Sequence, residues 1–187
     1  MLLASIKDDL YINFIKDDRY MWLLDGLKTT LIITVFAVIV GIIIGFLVAI
    51  IRSTHDKSGK FKLLNAICRV YLTVIRGTPT MIQLLIMNFV VFASVNMNGI
   101  IVGGLAFGIN SGAYVAEIVR SGIMSIDEGQ TEAGRSLGLN FSQTMRLIVM
   151  PQAFKNVLPA LVNEFIVLIK ETSIIGYIGM MDLTRGA

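Results

Sequence analysis

The chain has 187 residues, of which 55% are hydrophobic and 16% are charged, and its formal net charge is +3. This composition excludes an ordinary soluble domain and indicates a protein that resides in a membrane. The small positive excess is expected of membrane helices anchored on the cytoplasmic side, so it does not indicate a nucleic-acid partner.

The N-terminal segment, residues 1–25, is predicted to be extracellular or interfacial, and residues 26–187 are predicted to form a transmembrane domain. Acidic pairs interrupt the N-terminal segment before an apolar core can form, so it is not a signal peptide. Ile6, Leu10 and Phe14 recur at helical spacing, which predicts an amphipathic helix on the membrane surface.

Four apolar segments are predicted to cross the membrane as helices, which makes the fold class all-α transmembrane. The first segment, 31–51, carries no charge and is long enough to cross a hydrocarbon core of about 30 Å. The interval between Arg76 and Glu117 also lacks charge but is too long for one span, and turn-forming residues at 96–99 divide it. The predicted spans are 31–51, 61–94, 99–121 and 157–181, with Pro159 placed in the first turn of the last one.

The charges of the loops predict the orientation. The loop after the first span and the loop before the fourth are basic, whereas the turn at 96–99 is uncharged. The positive-inside rule therefore places both basic loops in the cytoplasm and the N-terminus outside. The basic residues are Arg52, Lys57, Lys60 and Lys62 in the first loop, and Arg120, Arg135, Arg146 and Lys155 in the second.

The second basic loop, within 122–152, is predicted to contain two short helices joined by a tight turn. Ser125 and Glu128 have the spacing of a capping box that would open the first helix. Gly138 stands where a left-handed residue would close that helix. Asn140 and Gln143 repeat the capping pattern for the second helix. So well specified a helix pair in the loop of a membrane protein predicts a docking element.

Residues for catalysis or metal binding are scarce. His55 is the single histidine and is expected to be a solvated loop residue, and the single Cys68 permits neither an internal disulfide nor a cysteine-rich metal site. The segment 58–61 lacks the upstream glycine and the following Ser or Thr of a phosphate-binding loop. We therefore expect no catalytic residue, metal or cofactor in this chain, and any nucleotide is expected on a different polypeptide.

Small residues recur every four positions in the third span, at Gly104, Gly108, Gly112 and Ala116. Such a ladder permits close approach of another helix, either within the chain or across a subunit interface. Gly41 and Gly45, four positions apart in the first span, also permit close approach of another helix.

Intramembrane polar groups form a second candidate site. Asn163 and Glu164 lie within the fourth span, where an ionisable residue is costly unless it faces protein, water or a ligand. We hypothesise that both line a translocation path; the alternative for Glu164 is a buried hydrogen bond between helices. Glu117 and Arg120, three residues apart, are expected to form a local ion pair.

The second basic loop resembles the EAA loop of ABC importer permeases. In that family the loop forms a coupling helix that docks into a groove on a separate ATPase subunit. Gly134 and Met150 replace the second alanine and the leucine of the family pattern. The matching residues are Glu132, Ala133, Gly138, Ile148 and Pro151. The resemblance implies coupling roles for Gly129, Gln130, Glu132, Ala133, Gly134, Leu137, Gly138 and Pro151.

The chain is also similar, over about residues 22 to 185, to the polar amino-acid branch of these permeases. The similar stretches are Arg76-Gly77-Thr78-Pro79, which is a helix break, then 113–120, Gly129-Gln130 and 170–173. The resemblance implies a type I importer fold in a bacterial plasma membrane. It also implies two permease subunits, two ATPase subunits that hold ATP and Mg²⁺, and an extracellular solute-binding protein that delivers polar amino acids.

We therefore expect a permease subunit of an ATP-driven importer of polar amino acids, in contact with membrane lipid, and not an enzyme. The alternatives are a secondary transporter, which needs no ATPase, and a non-transporting membrane scaffold. In the resembling family a Leu-Thr-Arg sequence like the one at 183–185 is followed by one more span. A fifth span is accordingly expected after the last residue of this sequence.

Overall fold

The computed structural model describes residues 11–95 and 97–186, and within these ranges all regular structure is helical. The surface helix predicted from Ile6 and Leu10 falls mainly outside the described residues. The helices are α1 (Tyr20–Ser58), α2 (Lys62–Arg76), α3 (Thr80–Ile86), α4 (Gly99–Met124), α5 (Glu128–Ser136), α6 (Phe141–Thr144), α7 (Met150–Glu171) and α8 (Leu183–Gly186). π-Helical turns occur at Tyr11–Ile15, Met87–Val91 and Met145–Val149, and 3₁₀ turns at Lys16–Asp18 and Thr172–Ile178.

Two of these helices, α1 and α4, are long and apolar enough to cross a membrane. The second predicted span is a bent pair, because α2 and α3 meet at an angle of 108°. Counting that pair as one span gives three. The fourth predicted span is represented by α7, whose 22 residues are long enough but less apolar, since Lys155, Asn163 and Glu164 lie in it. Its crossing of the membrane stays a prediction.

The start and end of the fourth span differ from the prediction. Pro159 lies inside α7 and not in a first turn, because α7 already begins at Met150 and carries Pro151 in its first turn. Pro159 has no N–H, so it cannot donate the usual hydrogen bond to the carbonyl of Lys155. Beyond Glu171 the chain tightens into the 3₁₀ turn Thr172–Ile178.

The small-residue ladder of α4 packs against α1 of the same chain. A Cβ added to Gly104 would collide with Phe36, and one added to Gly108 would lie 2.7 Å from Cβ of Val40. From the other side, Gly41 packs on Ser111. The structure therefore assigns the ladder to intrachain packing, which was one of the two interpretations left open by the sequence.

The core lies where α1, α3, α4, α7 and the 3₁₀ turn meet. Its fully buried side chains include Ile33, Leu84, Phe107, Leu168 and Ile175, one from each of these elements. This packing holds α7 against α4 and so positions the polar side chains that the two helices share.

Candidate coupling hairpin and intramembrane polar site

The first loop helix, α5, is capped by Asp127. The carboxylate of Asp127 accepts a 2.7 Å hydrogen bond from the backbone N–H of Gly129. The predicted capping box of Ser125 and Glu128 is wrong, because Ser125 is the C-cap residue of α4. Its hydroxyl donates to the carbonyl of Gly122 at 2.8 Å. Helix α5 thus starts later than the pattern predicts, and Glu128 is its first residue.

At the end of α5, Gly138 has the predicted left-handed conformation, with a φ of +81°. The backbone N–H of Leu139 donates to the carbonyl of Gly134 at 3.1 Å, and that of Gly138 donates to the carbonyl of Arg135 at 2.9 Å. These two bonds are the Schellman motif, which satisfies carbonyls that a helix end leaves free. The turn is therefore specified by backbone chemistry as well as by glycine.

The second loop helix opens with the predicted capping box. The side chain of Asn140 accepts from the N–H of Gln143 at 2.9 Å, and the side chain of Gln143 accepts from the N–H of Asn140 at 2.9 Å. The helix does not stop before the predicted fourth span, because the π-helical turn Met145–Val149 joins α6 directly to α7. Residues 141–171 therefore form one helical rod from the loop to the polar residues Asn163 and Glu164.

Helices α5 and α6 pack against each other through Gly134 and form a hairpin, residues 127–144, that we call the coupling hairpin. Gly134 is buried, and a Cβ there would lie 2.6 Å from Cγ2 of Thr144, which is itself fully buried. The close approach expected at Gly134 thus occurs inside the hairpin. In addition, the side chain of Gln152 donates to that of Gln130 at 3.3 Å and ties α5 to α7.

The outer surface of the coupling hairpin is exposed and includes apolar side chains. Leu137 is 80% exposed at the tip, and Phe141 is 55% exposed. Of the other residues implied by the resemblance, Gly129, Gln130, Glu132, Ala133, Gly138 and Pro151 are also exposed. Among the described residues, Leu137 is the most exposed large hydrophobic side chain, and the well-specified turn holds it out from the rest of the hairpin.

The predicted helix break is confirmed, and its polar groups are satisfied by a residue that sequence reasoning missed. Helix α2 ends at Arg76 and α3 begins after Pro79. The side-chain amide of Gln83 donates to the carbonyl of Ile75 at 2.7 Å and to the hydroxyl of Thr78 at 2.8 Å. The carbonyl of Ile75 has no helical donor, because the residue four positions on is Pro79, which has no N–H, so Gln83 stabilises the bend. Gln83 is the single glutamine in the charge-free interval between Arg76 and Glu117, which was a usable signal.

The polar groups of the break are connected to α4, and α4 is connected to α7. The side chain of Asn110 donates to that of Gln83 at 3.0 Å. Its neighbour Ser111 donates to the carboxylate of Glu164 at 2.8 Å. At the C-terminal end of α7, the carboxylate of Glu171 accepts from the hydroxyl of Thr80 at 3.3 Å. A line of hydrogen bonds thus crosses the helix bundle from the break to α7.

The two residues of the predicted path are not placed alike. Glu164 is half-buried against α4, as its bond to Ser111 requires, whereas Asn163 is exposed. Consecutive helical residues point in directions about 100° apart, so both side chains cannot face one point. Among the described residues, no hydrogen bond joins them.

The ion pair predicted between Glu117 and Arg120 is wrong, because each residue has a partner on another helix. Glu117 accepts from Nη1 of Arg52 at 2.5 Å, and Nη1 of Arg76 lies 4.0 Å from its other oxygen. Arg120 donates to Asp56 at 2.8 Å. The folded chain brings Arg52 of α1 to Glu117 and Asp56 of α1 to Arg120, so neither residue of α4 pairs with the other. Both pairs fasten the loop-side end of α4 to α1.

The known proteins that this chain resembles are membrane components of transport systems. Residues 41–187 match the family described as "Binding-protein-dependent transport system inner membrane component". The chain is 39% identical over 171 residues to the putative glutamine transport system permease protein GlnP of Rickettsia prowazekii, covering 90% of this chain and 76% of the relative. It is 39% identical over 168 residues to the arginine transport system permease protein ArtQ of Bacillus subtilis, covering 89% and 74%.

Solved structures give the same result. A crystal structure of an amino acid ABC transporter with histidines matches with a TM-score of 0.80 and 42% identity, covering 89% of this chain and 76% of that chain. The inward-facing MetNI methionine ABC transporter matches with a TM-score of 0.77, covering 91% and 81%, but at 20% identity it supports the fold alone. These matches identify the fold as that of a type I ABC importer permease, and the chain belongs to the family of binding-protein-dependent transport system inner membrane components.

Proposed function

We propose that the chain is the permease subunit of an ATP-driven importer of polar amino acids. The family membership supports the permease role, and the names of the relatives, which transport glutamine or arginine, support the substrate class. In this proposal ATP and Mg²⁺ bind to a partner ATPase, and a solute-binding protein delivers the amino acid from outside. A second permease, either another copy or a homologue, completes the path across a bacterial inner membrane.

The single observation that carries the proposal is the coupling hairpin. It is closed by a Schellman turn and a capping box, it exposes Leu137 at its tip, and it continues into α7 without a break. A hairpin that only rested on the membrane surface would bury its apolar residues in lipid and would need no rigid link to a membrane helix. A hairpin that transmits force needs both the exposed contact and the link.

Force applied to the hairpin would reach Glu164 through the rod 141–171. The rod is about 46 Å long at 1.5 Å per residue. It therefore extends from the ATPase-facing side to the polar residues of α3 and α4 that contact it, Thr80 and Ser111. Closure of the ATPase subunits on ATP would shift the hairpin and tilt the rod. The bond between Glu164 and Ser111 would then break or form, and this changes which side of the membrane the polar groups face.

Substrate contact is assigned in this proposal to Glu164, with Asn163 on the adjacent face of α7. A carboxylate in this position favours the ammonium or guanidinium group of an amino acid. In this proposal the N-terminus is outside and the coupling hairpin is in the cytoplasm, where ATP is available, and the basic residues of the two loops support this orientation.

The test is Leu137→Ala, with Leu63→Ala as the matched control. Leu63 is 76% exposed and also lies on the loop side of the helices, but it is outside the hairpin. If Leu137 inserts into a groove of the ATPase, its truncation costs about 2 kcal/mol, which weakens association roughly 30-fold. Measured in proteoliposomes with the ATPase and the binding protein, Leu137→Ala should lose uptake and stimulated ATP hydrolysis. Normal coupling in Leu137→Ala, or equal loss in Leu63→Ala, would refute the docking role.

A further inference from the structure

A cavity of about 600 Å³ opens beside the helix break and is rich in arginine. The charged residues that line it are three arginines, Arg52, Arg69 and Arg76, and one carboxylate, Glu117. Arg52 is bound to Glu117, but its Nε has no acceptor although it is buried. Among the described residues Arg69 has no ion-pair or hydrogen-bond partner. The cavity therefore carries two positive charges that the chain does not compensate.

The depth of the cavity follows from the charge pattern of α1. No charged residue occurs from Leu31 to Ile51, and this run spans about 31 Å, the thickness of a hydrocarbon core. Arg52 comes immediately after the run, so it lies at the level of the lipid headgroups. Arg69, Arg76 and Glu117 line the same cavity and thus share this level.

Helix α2 has the surface of a helix that lies along a membrane. It is strongly amphipathic and bends away from α3 by 108°. Its exposed apolar side chains include Ile67, Val70 and Val74, while Arg69 and Arg76 face the cavity. A ligand in the cavity would accordingly have guanidinium groups on one side and a lipid-accessible apolar surface on the other.

We propose that this arginine cavity binds the phosphate of an anionic phospholipid from the leaflet on the side of the basic loops. Guanidinium groups bind phosphate oxygens in pairs of parallel hydrogen bonds, and the free donors of Arg69 and Arg76 are available for this. The acyl chains of the lipid lie on the apolar surface of α2. A bound lipid at the helix break holds α2 against α4. The amount of anionic lipid in the membrane would therefore affect the angle between α2 and α3.

The experiment uses the full chain purified in neutral detergent and titrated with phosphatidylglycerol or phosphatidylcholine, with lipid retention measured by native mass spectrometry. We expect retention of phosphatidylglycerol over phosphatidylcholine in the wild type. Arg69→Gln should weaken it about tenfold, because it removes a charge-assisted hydrogen bond to the phosphate. Arg69→Lys, which keeps the charge, should retain most of the binding.

Lys155→Gln is the control, because it removes one positive charge from the same side of the protein but outside the cavity. Equal binding by the wild type and Arg69→Gln, or an equal loss in Lys155→Gln, would show that only general surface charge attracts the lipid and would overturn the proposal. Inorganic phosphate and free glutamine are titrated separately. Displacement of the lipid by glutamine in the wild type, abolished in Arg69→Gln, would assign the cavity to the transported solute instead.

Discussion

Replacement of Gly134 by alanine tests whether the coupling hairpin acts as a rigid body. The added Cβ would lie 2.6 Å from Cγ2 and 2.9 Å from Oγ1 of Thr144, and 3.1 Å from Cδ1 of Ile148. Ile148 can turn its terminal methyl away, but Thr144 is fully buried and its branched side chain is stiff. Overpacking of this kind costs about 1–3 kcal/mol, from which the better helix propensity of alanine recovers about 1 kcal/mol.

The net loss of up to about 2 kcal/mol should appear as local opening of the hairpin, because its helices are short. Amide hydrogen exchange of Leu137, Gly138 and Leu139, whose N–H groups close the turn, should accelerate up to about 30-fold. Uptake should fall in parallel. Gly176→Ala serves as the control, since the nearest atom to its added Cβ lies 3.7 Å away.

The decisive variant is Gly134→Ala combined with Thr144→Ala. The second substitution removes both of the closest atoms, and it also removes a buried hydroxyl that has no hydrogen-bond partner. The double variant should therefore recover slow exchange and most of the uptake, which gives a coupling energy of about 1–2 kcal/mol between the two positions. Wild-type behaviour of Gly134→Ala alone, or failure of the rescue, would show that the packing of α5 on α6 does not control coupling.

Substitutions at three further positions test other parts of the structure. Asn140→Ala removes the capping box and should destabilise the start of the rod by about 1 kcal/mol, seen as faster exchange over residues 141–144. Gln83→Leu leaves acceptors at the helix break, including Thr78, without their donor and should lower the melting temperature, whereas Gln83→Glu should not restore it because a carboxylate cannot donate. Glu164→Gln keeps an acceptor for Ser111 but removes the charge, so uptake of cationic relative to neutral amino acids should fall; an unchanged ratio would exclude Glu164 from recognition.

The sequence predicts the hairpin and its turn well because their determinants are local. A capping box, a left-handed glycine and a proline each act within a few residues, so Asn140, Gln143, Gly138 and Pro79 could be interpreted without knowledge of tertiary contacts. The error at Ser125 has the same origin. The local pattern does not show that α4 extends through Met124, which makes Ser125 the C-cap of α4 and leaves Asp127 to cap the next helix.

The interhelical contacts could not be predicted in this way. Glu117 and Arg120 satisfy the rule for a local pair, yet the partners Arg52 and Asp56 are more than sixty positions away in sequence. The register that aligns α1 with α4 is determined by glycines packing against large side chains such as Phe36. A pattern of small residues shows that a close contact exists, but it does not identify the surface that fills it.

The contacts of α7 indicate where the rod would turn when the hairpin moves. Near its start α7 is packed closely on α4, since a Cβ on Gly122 would collide with Val157 and lie 3.3 Å from the carbonyl of Ala153. Farther along, Leu168 is fully buried in the core, and single hydrogen bonds from Ser111 and Thr80 hold Glu164 and Glu171.

Helices α1 and α4 are joined more extensively, by the small-residue ladder of α4 and by two ion pairs. In the proposed mechanism the rod turns about its close contact with α4 at Val157, which is the pivot, and the packing of Leu168 and the hydrogen bonds of Glu164 and Glu171 are the contacts that must yield. Phe141 lies about 24 Å before the pivot and Glu164 about 10 Å beyond it. A rod that stays straight through Pro159 would therefore move Glu164 in the opposite direction by about 40% of the displacement at Phe141. A shift of about 3 Å at the hairpin would therefore suffice to break the bond between Glu164 and Ser111, whose range is only a few tenths of an ångström.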